Sequence, residues 1–166
     1  MKYSKLHQKY HIQTPQLTDI TEILDLFDAE VKAGRMLPRN QEELRANIQD
    51  WQIVSLDDEI IGCVSLVFYN ETLCEIRSLA VNEAYRENGL GKKLIEAALV
   101  LAKERGAENV LTLTRVPRLF EHFGFQKDEI QNFPEKVQQD CQPCPFINCC
   151  DEVALLYQIK ESEPDR

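Results

Sequence analysis

Residues 75–98 read EIRSLAVNEAYRENGLGKKLIEAA, an apolar strand-like run followed by a polar turn and a helix. The strand-like run ends at Val81. The helix places four apolar side chains on one face: Leu94, Ile95, Ala98 and Leu101. Between them, Arg86–Gly91 read RENGLG, whose glycines let a ligand approach the backbone without meeting a Cβ. Because a helix start offers unpaired N–H groups and a positive dipole end, the segment predicts a strand–turn–helix unit with an anion-binding turn.

The same turn carries local positive charge at Arg86, Lys92 and Lys93. Its spacing is neither G-x-G-x-x-G nor that of a P-loop, and an ordinary strand–turn–helix connection could have this composition. The combination of R-x-x-G-x-G with a preceding L-A-V strand and a following amphipathic helix resembles the acyl-CoA-binding motif of the GNAT superfamily of N-acyltransferases. The resemblance extends from about Ile12 to Ile159.

This resemblance implies acetyl-CoA as the cosubstrate. In the family, the residues that match Arg86–Gly91 wrap the pyrophosphate of coenzyme A, and the pantetheine arm bonds to the preceding strand like an added strand. The resemblance also implies that strands Leu73–Val81 and Asn109–Thr114 are parallel neighbours that splay apart around this arm. The residues expected to contact acetyl-CoA are Leu79, Ala80, Val81, Arg86, Glu87, Asn88, Gly89, Leu90, Gly91 and Lys92.

The remaining pattern indicates an α+β chain, and the resemblance implies the GNAT fold, a mixed and mostly antiparallel central sheet splayed between two parallel strands and flanked by helices. A right-handed crossover should make Asn109–Thr114 parallel to Leu73–Val81. The predicted strands are Tyr10–Gln13, Trp51–Leu56, Ile60–Phe68, Leu73–Val81, Asn109–Thr114, an edge strand after Phe125, and Val153–Ile159. Helices are predicted after Thr18 or Asp19, after the capping residue Asn40, from the glycine turn to about Arg105, and from Pro117 to His122.

Length and charge limit the classes of protein. At 166 residues the chain predicts a single domain, residues 1–166, with a cysteine-rich loop at 140–151 and a polar tail at 160–166. The net charge of −9 argues against nucleic acid and anionic membranes as general partners. No apolar leader is visible, and no apolar run approaches the roughly 20 residues that span a bilayer. We therefore expect a cytoplasmic protein whose oligomeric state, a homodimer included, stays open.

Glu75 is the candidate catalytic base, because it is a carboxylate in an otherwise apolar strand. Acylation of an amine requires a group that accepts a proton from the nitrogen, directly or through water. Glutamate stands at the matching position in amino-acid acetyltransferases of the family, where it is credited as the base. A backbone N–H near Leu79 would then stabilise the thioester oxygen. The alternative is a salt bridge between Glu75 and Arg77 on a solvated face of the sheet.

The acceptor side resembles the acetyltransferase domain of N-acetylglutamate synthases, in a short form without their amino-acid-kinase domain. The segments of this sequence that carry the resemblance are GRMLPRN at Gly34–Asn40, IIGCVSL, EIRSLAV and PEK. The resemblance implies that Arg39 binds a substrate carboxylate, for which the planar guanidinium is suited, and that Arg77 binds a second one. We therefore expect an amino-acid substrate, favouring L-glutamate and the arginine biosynthetic reaction. The alternatives are an N-acetyltransferase for another small amine or a peptide N-terminus, and a noncatalytic acyl-CoA-sensing module.

Four cysteines follow in the sequence C-Q-P-C-P-F-I-N-C-C. Cys141, Cys144, Cys149 and Cys150 could together hold a structural zinc ion, although adjacent cysteines are awkward joint ligands. Free or redox-active thiols and a disulfide are the alternatives. The general acid is unassigned, because Phe120 stands where many relatives carry a tyrosine and phenylalanine cannot donate a proton.

Overall fold

The structure, a computed structural model, describes residues 10–161, so residues 1–9 of the expected domain and 162–166 of its polar tail lie outside it. The strands are β1 (His11–Gln13), β2 (Trp51–Leu56), β3 (Glu59–Phe68), β4 (Leu73–Val81), β5 (Asn109–Thr114), β6 (Gln126–Lys127) and β7 (Val153–Gln158). The α-helices are α1 (Ile20–Lys32), α2 (Gln41–Ala46), α3 (Leu90–Glu104), α4 (Pro117–Glu121) and α5 (Pro134–Lys136).

The strands form one mixed sheet in the order β1-β2-β3-β4-β5-β7-β6. The pair β4 and β5 is parallel, with Leu73 opposite Asn109 and Glu75 opposite Leu111, which confirms the predicted parallel pairing. Beyond these paired residues, a side chain links the two strands, because Thr112 Oγ1 donates to the carbonyl of Ile76 at 3.1 Å. The predicted α+β class and GNAT fold are confirmed, and the predicted strand bounds agree within about two residues. The helix after Asn40 is shorter than its sequence pattern, Gln41–Gln49, and α5 is not among the predicted helices.

The described residues cluster into two compact units, and the boundaries between the units fall within β3, β4 and α3. The first comprises the described residues up to Ser65 together with Ser78–Ala98. Its core joins α1 and α2 to the faces of β2 and β3, and the rings of Phe27 and Trp51 meet edge to face at 5.6 Å. Asn40 caps α2 as predicted, its Oδ1 accepting the N–H of Glu43 at 2.8 Å.

The second unit comprises Leu66–Arg77 and the chain from Leu99 onward. Its core contains Leu73, Leu111, Phe133 and Ala154. Among the residues the structure describes, no helix is long and apolar enough to cross a membrane.

Two local features of the first unit shape β4 and the start of α3. Ser78 has a φ of 61°, so the regular alternation of side chains that the sequence predicts along β4 is interrupted there. Gly62 lies where a Cβ would come within 2.8 Å of Val54 Cγ1 and 3.1 Å of Leu94 Cδ1. Glycine at this position therefore allows α3 to pack closely on β3.

The hairpin turn between β2 and β3 requires positive φ at two residues, and neither residue is glycine. Asp57 and Asp58 have φ of 48° and 66°, as in a type I′ turn, for which Asn-Gly is the preferred pair. We expect the Asp57→Asn/Asp58→Gly double variant to raise the free energy of unfolding by about 1 kcal/mol, because glycine adopts positive φ without strain. Urea unfolding measures the change. The Asp57→Asn/Asp58→Asn variant controls for the lost charge, and an equal gain in both variants would contradict the backbone explanation.

Candidate active site

The turn between β4 and α3 has an exposed stretch at Arg86–Gly89. Glu87 and Gly89 have φ of 66° and 74°, and turns with left-handed residues place N–H groups in anion-binding concavities. Asn88 fixes the turn, since its Nδ2 donates to the carbonyls of Tyr85 at 2.9 Å and Arg86 at 3.2 Å. A Cβ built on Gly89 would meet nothing within 4 Å, so the space above the turn is open.

The first turn of α3 continues this row of amides. Leu90 is 1% exposed and anchors the helix start, and the N–H of Lys93 donates to the carbonyl of Gly89 at 3.2 Å. The N–H groups of Leu90, Gly91 and Lys92 precede this bond and have no partner within the helix. Together with the helix dipole they favour an anion such as a diphosphate.

Arg86 is held by an acidic side chain of α1. Its Nη2 donates to Glu30 Oε1 at 2.6 Å, and its Nε donates to the carbonyl of Val81 at 3.2 Å. Arg35 also binds Glu30, through two hydrogen bonds of 2.7 and 2.9 Å. The pKa of Glu30 is lowered, chiefly by the hydrogen bond from Arg35, although burial opposes the shift. One carboxylate against two guanidinium groups leaves a net positive charge, and Arg86 ties the turn to α1.

Glu75 lies in the second unit, 3% exposed, at the centre of a cluster of ionic side chains. Its Oε2 accepts the hydroxyl of Tyr69 and lies 2.8 Å from Lys136 Nζ. The same tyrosine oxygen is 2.5 Å from Asp140 Oδ2, and Lys136 Nζ is 3.1 Å from that oxygen. Arg77 Nη1 donates to Asp140 Oδ2 at 3.3 Å. Two carboxylates therefore face two cations around one neutral phenol.

The charges in this cluster stabilise one another in a largely buried place. Burial alone would lower the pKa of Lys136, but the charges of Glu75 and Asp140 outweigh it and raise that pKa. Burial would raise the pKa of Asp140, but the hydrogen bond from Tyr69 and the charge of Lys136 lower it overall. Burial, with the charge of Glu75, raises the pKa of Tyr69. Lys136 thus stays an ammonium, Asp140 a carboxylate and Tyr69 a phenol near neutral pH.

Arg39 lies in the first unit beside the interruption in β4. Its Nε donates to Ser78 Oγ at 3.3 Å, and the side chain is half-buried. Leu79 follows Ser78 on β4 and is half-buried, whereas Ala80 is 4% exposed in the core of this unit. The structure therefore brings Arg39 to β4, and it pairs the other candidate carboxylate ligand, Arg77, with Asp140.

Comparison with known proteins shows the family of this chain. A family model described as the acetyltransferase (GNAT) family matches residues 17–125, more than half of the chain. The chain belongs to the GNAT family. It is 34% identical over 148 residues to an uncharacterized N-acetyltransferase of Chlorobaculum tepidum, an alignment that covers 89% of this chain and 96% of that protein.

Longer GNAT relatives carry more specific names. An amino-acid acetyltransferase of Pasteurella multocida is 33% identical over 130 residues, 77% of this chain but only 30% of that protein. One similar solved structure is that of N-acetylglutamate synthase from Neisseria gonorrhoeae, complexed with coenzyme A and N-acetyl-glutamate. Its TM-score is 0.81 at 24% identity, and the match covers 92% of this chain and 36% of the synthase chain. A Mycobacterium tuberculosis protein in complex with CoA has a TM-score of 0.77 at 22% identity. The match covers 90% of this chain and 99% of that protein.

The predicted metal site of this GNAT chain is wrong. Between residues 10 and 161, no three histidine, cysteine or acidic side chains are grouped as metal ligands. Cys141 ends a π-helical turn, Cys144 follows in the next turn, and Cys149 and Cys150 are exposed beyond it. All four thiols are free, and none of them forms a disulfide bond.

Sequence reasoning missed the residues that surround Glu75. Tyr69 begins the turn after β3, and its N–H donates to the carbonyl of Leu73 at 3.0 Å. This register puts Tyr69 diagonal to Glu75 across the hairpin, a relation that strand pairing could have predicted. Lys136 lies in the PEK segment, to which the sequence assigns no role, and the sequence around Asp140 has no signal for a contact with Glu75.

Proposed function

We propose that this GNAT chain is an acetyl-CoA-dependent N-acetyltransferase that acts on the α-amine of an amino acid, with L-glutamate as the favoured acceptor. The observation that carries the proposal is the buried Glu75 carboxylate, held in β4 by Tyr69 and Lys136. The names of the longer relatives support the substrate class, and the reaction would be the glutamate acetylation of arginine biosynthesis.

Acetyl-CoA would bind through the turn at the start of α3. The backbone amides from Glu87 to Gly91, the open space above Gly89 and the charges of Lys92 and Lys93 fit a diphosphate. The backbone of Leu79–Val81 would receive the pantetheine arm by strand addition. The protein's contribution at this step is to fix the thioester in one orientation.

Glu75 would accept the proton that the amine loses as its nitrogen attacks the thioester carbonyl, directly or through water. The N–H of Leu79 would stabilise the charge that develops on the carbonyl oxygen. The C–S bond then breaks and the thiolate leaves to solvent, since Phe120, 3% exposed and packed on Phe125, has no proton to give.

Arg39 would bind a carboxylate of the acceptor. It is half-buried, and its Nε donates to Ser78 Oγ at 3.3 Å. The guanidinium group offers two parallel hydrogen bonds to a carboxylate, which distinguishes an amino acid from a simple amine. Arg77, through its ion pair with Asp140, would instead support the cluster around Glu75.

Thiol release from acetyl-CoA, measured across a panel of amino acids and neutral amines, tests this proposal. We expect L-glutamate to be preferred, and Arg39→Ala to raise its KM by about 10–100-fold with a smaller change in kcat, because a charge-assisted hydrogen-bond pair is lost. Arg45→Ala, at an exposed arginine of α2, is the matched control. A preference for a neutral amine, or an unchanged KM in Arg39→Ala, would contradict the assignment of Arg39.

A noncatalytic acyl-CoA-sensing module is the second candidate. It is favoured by the ion pair of Glu75 with Lys136, because such a pair can also be purely structural. In that case the turn at Arg86–Gly91 would bind coenzyme A and no thiol would be released with any acceptor.

A further inference from the structure

A proton taken up by Glu75 needs a way out, because the Glu75 side chain is 4% exposed. The Asp140 side chain is 24% exposed and is the more accessible of the two carboxylates. Tyr69 Oη lies between them, bonded to Glu75 Oε2 and 2.5 Å from Asp140 Oδ2. The three oxygen atoms form a row from a buried site toward solvent within one compact unit.

The number of protons in this row of oxygen atoms limits how many hydrogen bonds it can form. A phenol has one proton to donate, yet two carboxylate oxygens lie within hydrogen-bond distance of Tyr69 Oη. With both carboxylates ionised, only one contact can be a hydrogen bond at any moment. One added proton satisfies both contacts, since a protonated Glu75 donates to Tyr69 Oη while the phenol donates to Asp140.

We propose that Tyr69 is a proton relay that carries the proton from Glu75 to Asp140 after each acyl transfer, a role that rests on the proposed function of Glu75. The Glu75 O–H bond breaks as its proton forms a new bond to Tyr69 Oη. In the same step the phenol O–H bond breaks and its proton passes to Asp140 Oδ2. Asp140 then releases the proton to water, and all three groups return to their starting states.

The other groups around the row keep their charges while the proton passes. Lys136 contacts both carboxylates, and its raised pKa keeps it an ammonium that does not itself carry the proton. Arg77 and Lys136 hold Asp140 as a carboxylate of lowered pKa, which favours rapid release to water. Because the pKa of Tyr69 is raised, the two proton movements occur together without a tyrosinate. Glu152 and Cys141 are the further titratable groups close enough to act on Glu75 and Lys136.

The test compares steady-state kinetics of Tyr69→Phe and Asp140→Asn with wild type at increasing imidazole concentration. We expect each variant to lose kcat by about tenfold or more, less than the full effect of a general base, with the KM for acetyl-CoA unchanged. Imidazole, a soluble proton acceptor, should restore part of kcat in both variants and leave wild type unaffected. The double variant should be no slower than either single one, because both residues serve one path.

Controls separate this role from a structural one. Tyr157→Phe removes a phenol hydroxyl from a half-buried tyrosine of β7 in the same unit and should keep the wild-type kcat. Additive losses in the double variant, or losses that imidazole does not restore, would show a structural role and overturn the relay. If Tyr69→Phe does not fold, Asp140→Asn decides alone, by its loss of kcat and by whether imidazole restores it.

Glu75→Gln belongs in the same series. Suppose that Glu75→Gln loses turnover while Tyr69→Phe and Asp140→Asn keep the wild-type rate. This result overturns the relay and leaves the proposed function unchanged. Unchanged turnover in Glu75→Gln excludes Glu75 as the base and overturns the relay. No turnover by wild type with any acceptor overturns the proposed function and the relay with it.

Discussion

Replacing Glu75 with glutamine is expected to lower kcat for acetyl transfer by about 10²–10⁴-fold, the usual contribution of a general base. Glutamine has nearly the same shape but cannot take a proton from the attacking amine. The affinity for coenzyme A should stay at the wild-type value, because the turn at Arg86–Gly91 is unaltered. Thiol-release kinetics and calorimetric titration with coenzyme A measure the two quantities on the same preparation.

The matched control is Glu71→Gln, which removes an exposed carboxylate from the turn that precedes β4. It should retain full activity. Urea unfolding of both variants ensures that a loss of rate does not reflect a loss of fold, since Glu75 also pairs with Lys136. Wild-type kcat in Glu75→Gln would exclude this residue as the base.

Replacing Lys136 with methionine is expected to lower the free energy of unfolding by about 3 kcal/mol, since removal of one partner leaves buried charge uncompensated. Lys136 is 7% exposed, and its ammonium lies between Glu75 at 2.8 Å and Asp140 at 3.1 Å. Methionine fills a similar volume, so the loss is electrostatic and not a cavity. Urea unfolding at neutral pH provides the measurement.

Lys32→Met controls for the loss of a lysine from an i,i+4 ion pair. Lys32 lies 2.6 Å from Asp28, but its side chain is 76% exposed, and exposed pairs contribute little. Its urea midpoint should therefore stay at the wild-type value. Equal small shifts in Lys32→Met and Lys136→Met would contradict the account of a buried ionic cluster. Adding Glu75→Gln to Lys136→Met should restore part of the stability, because one unpaired carboxylate is removed.

The sequence predicts the unit from β4 to α3 because each of its signals is local. Apolar alternation, the glycine turn and the helical spacing of Leu94, Ile95 and Ala98 all lie within 24 consecutive residues. The cap at Asn40 is likewise a contact over three residues. Such patterns depend on backbone geometry that the neighbouring residues fix by themselves.

The cluster around Glu75 could not be predicted in the same way. Tyr69 and Asp140 are 71 residues apart, and Asp140 lies on a π-helical turn for which the sequence has no clear signal. The positive φ of Ser78 is equally hidden, because serine has no special preference for that conformation. Pairing of Arg86 with Glu30 spans 56 residues and depends on how α1 packs. Sequence patterns gave candidate residues here, and tertiary packing determined their partners.

Calorimetric titration of the protein with coenzyme A tests most directly the claim on which every role depends, that the amides between Arg86 and Lys92 hold the diphosphate of an acyl-CoA. The account predicts saturable heat with one coenzyme A bound per chain, and competition by acetyl-CoA. No heat and no competition at millimolar coenzyme A would contradict it, and the assignments of base, acceptor and relay would fail together.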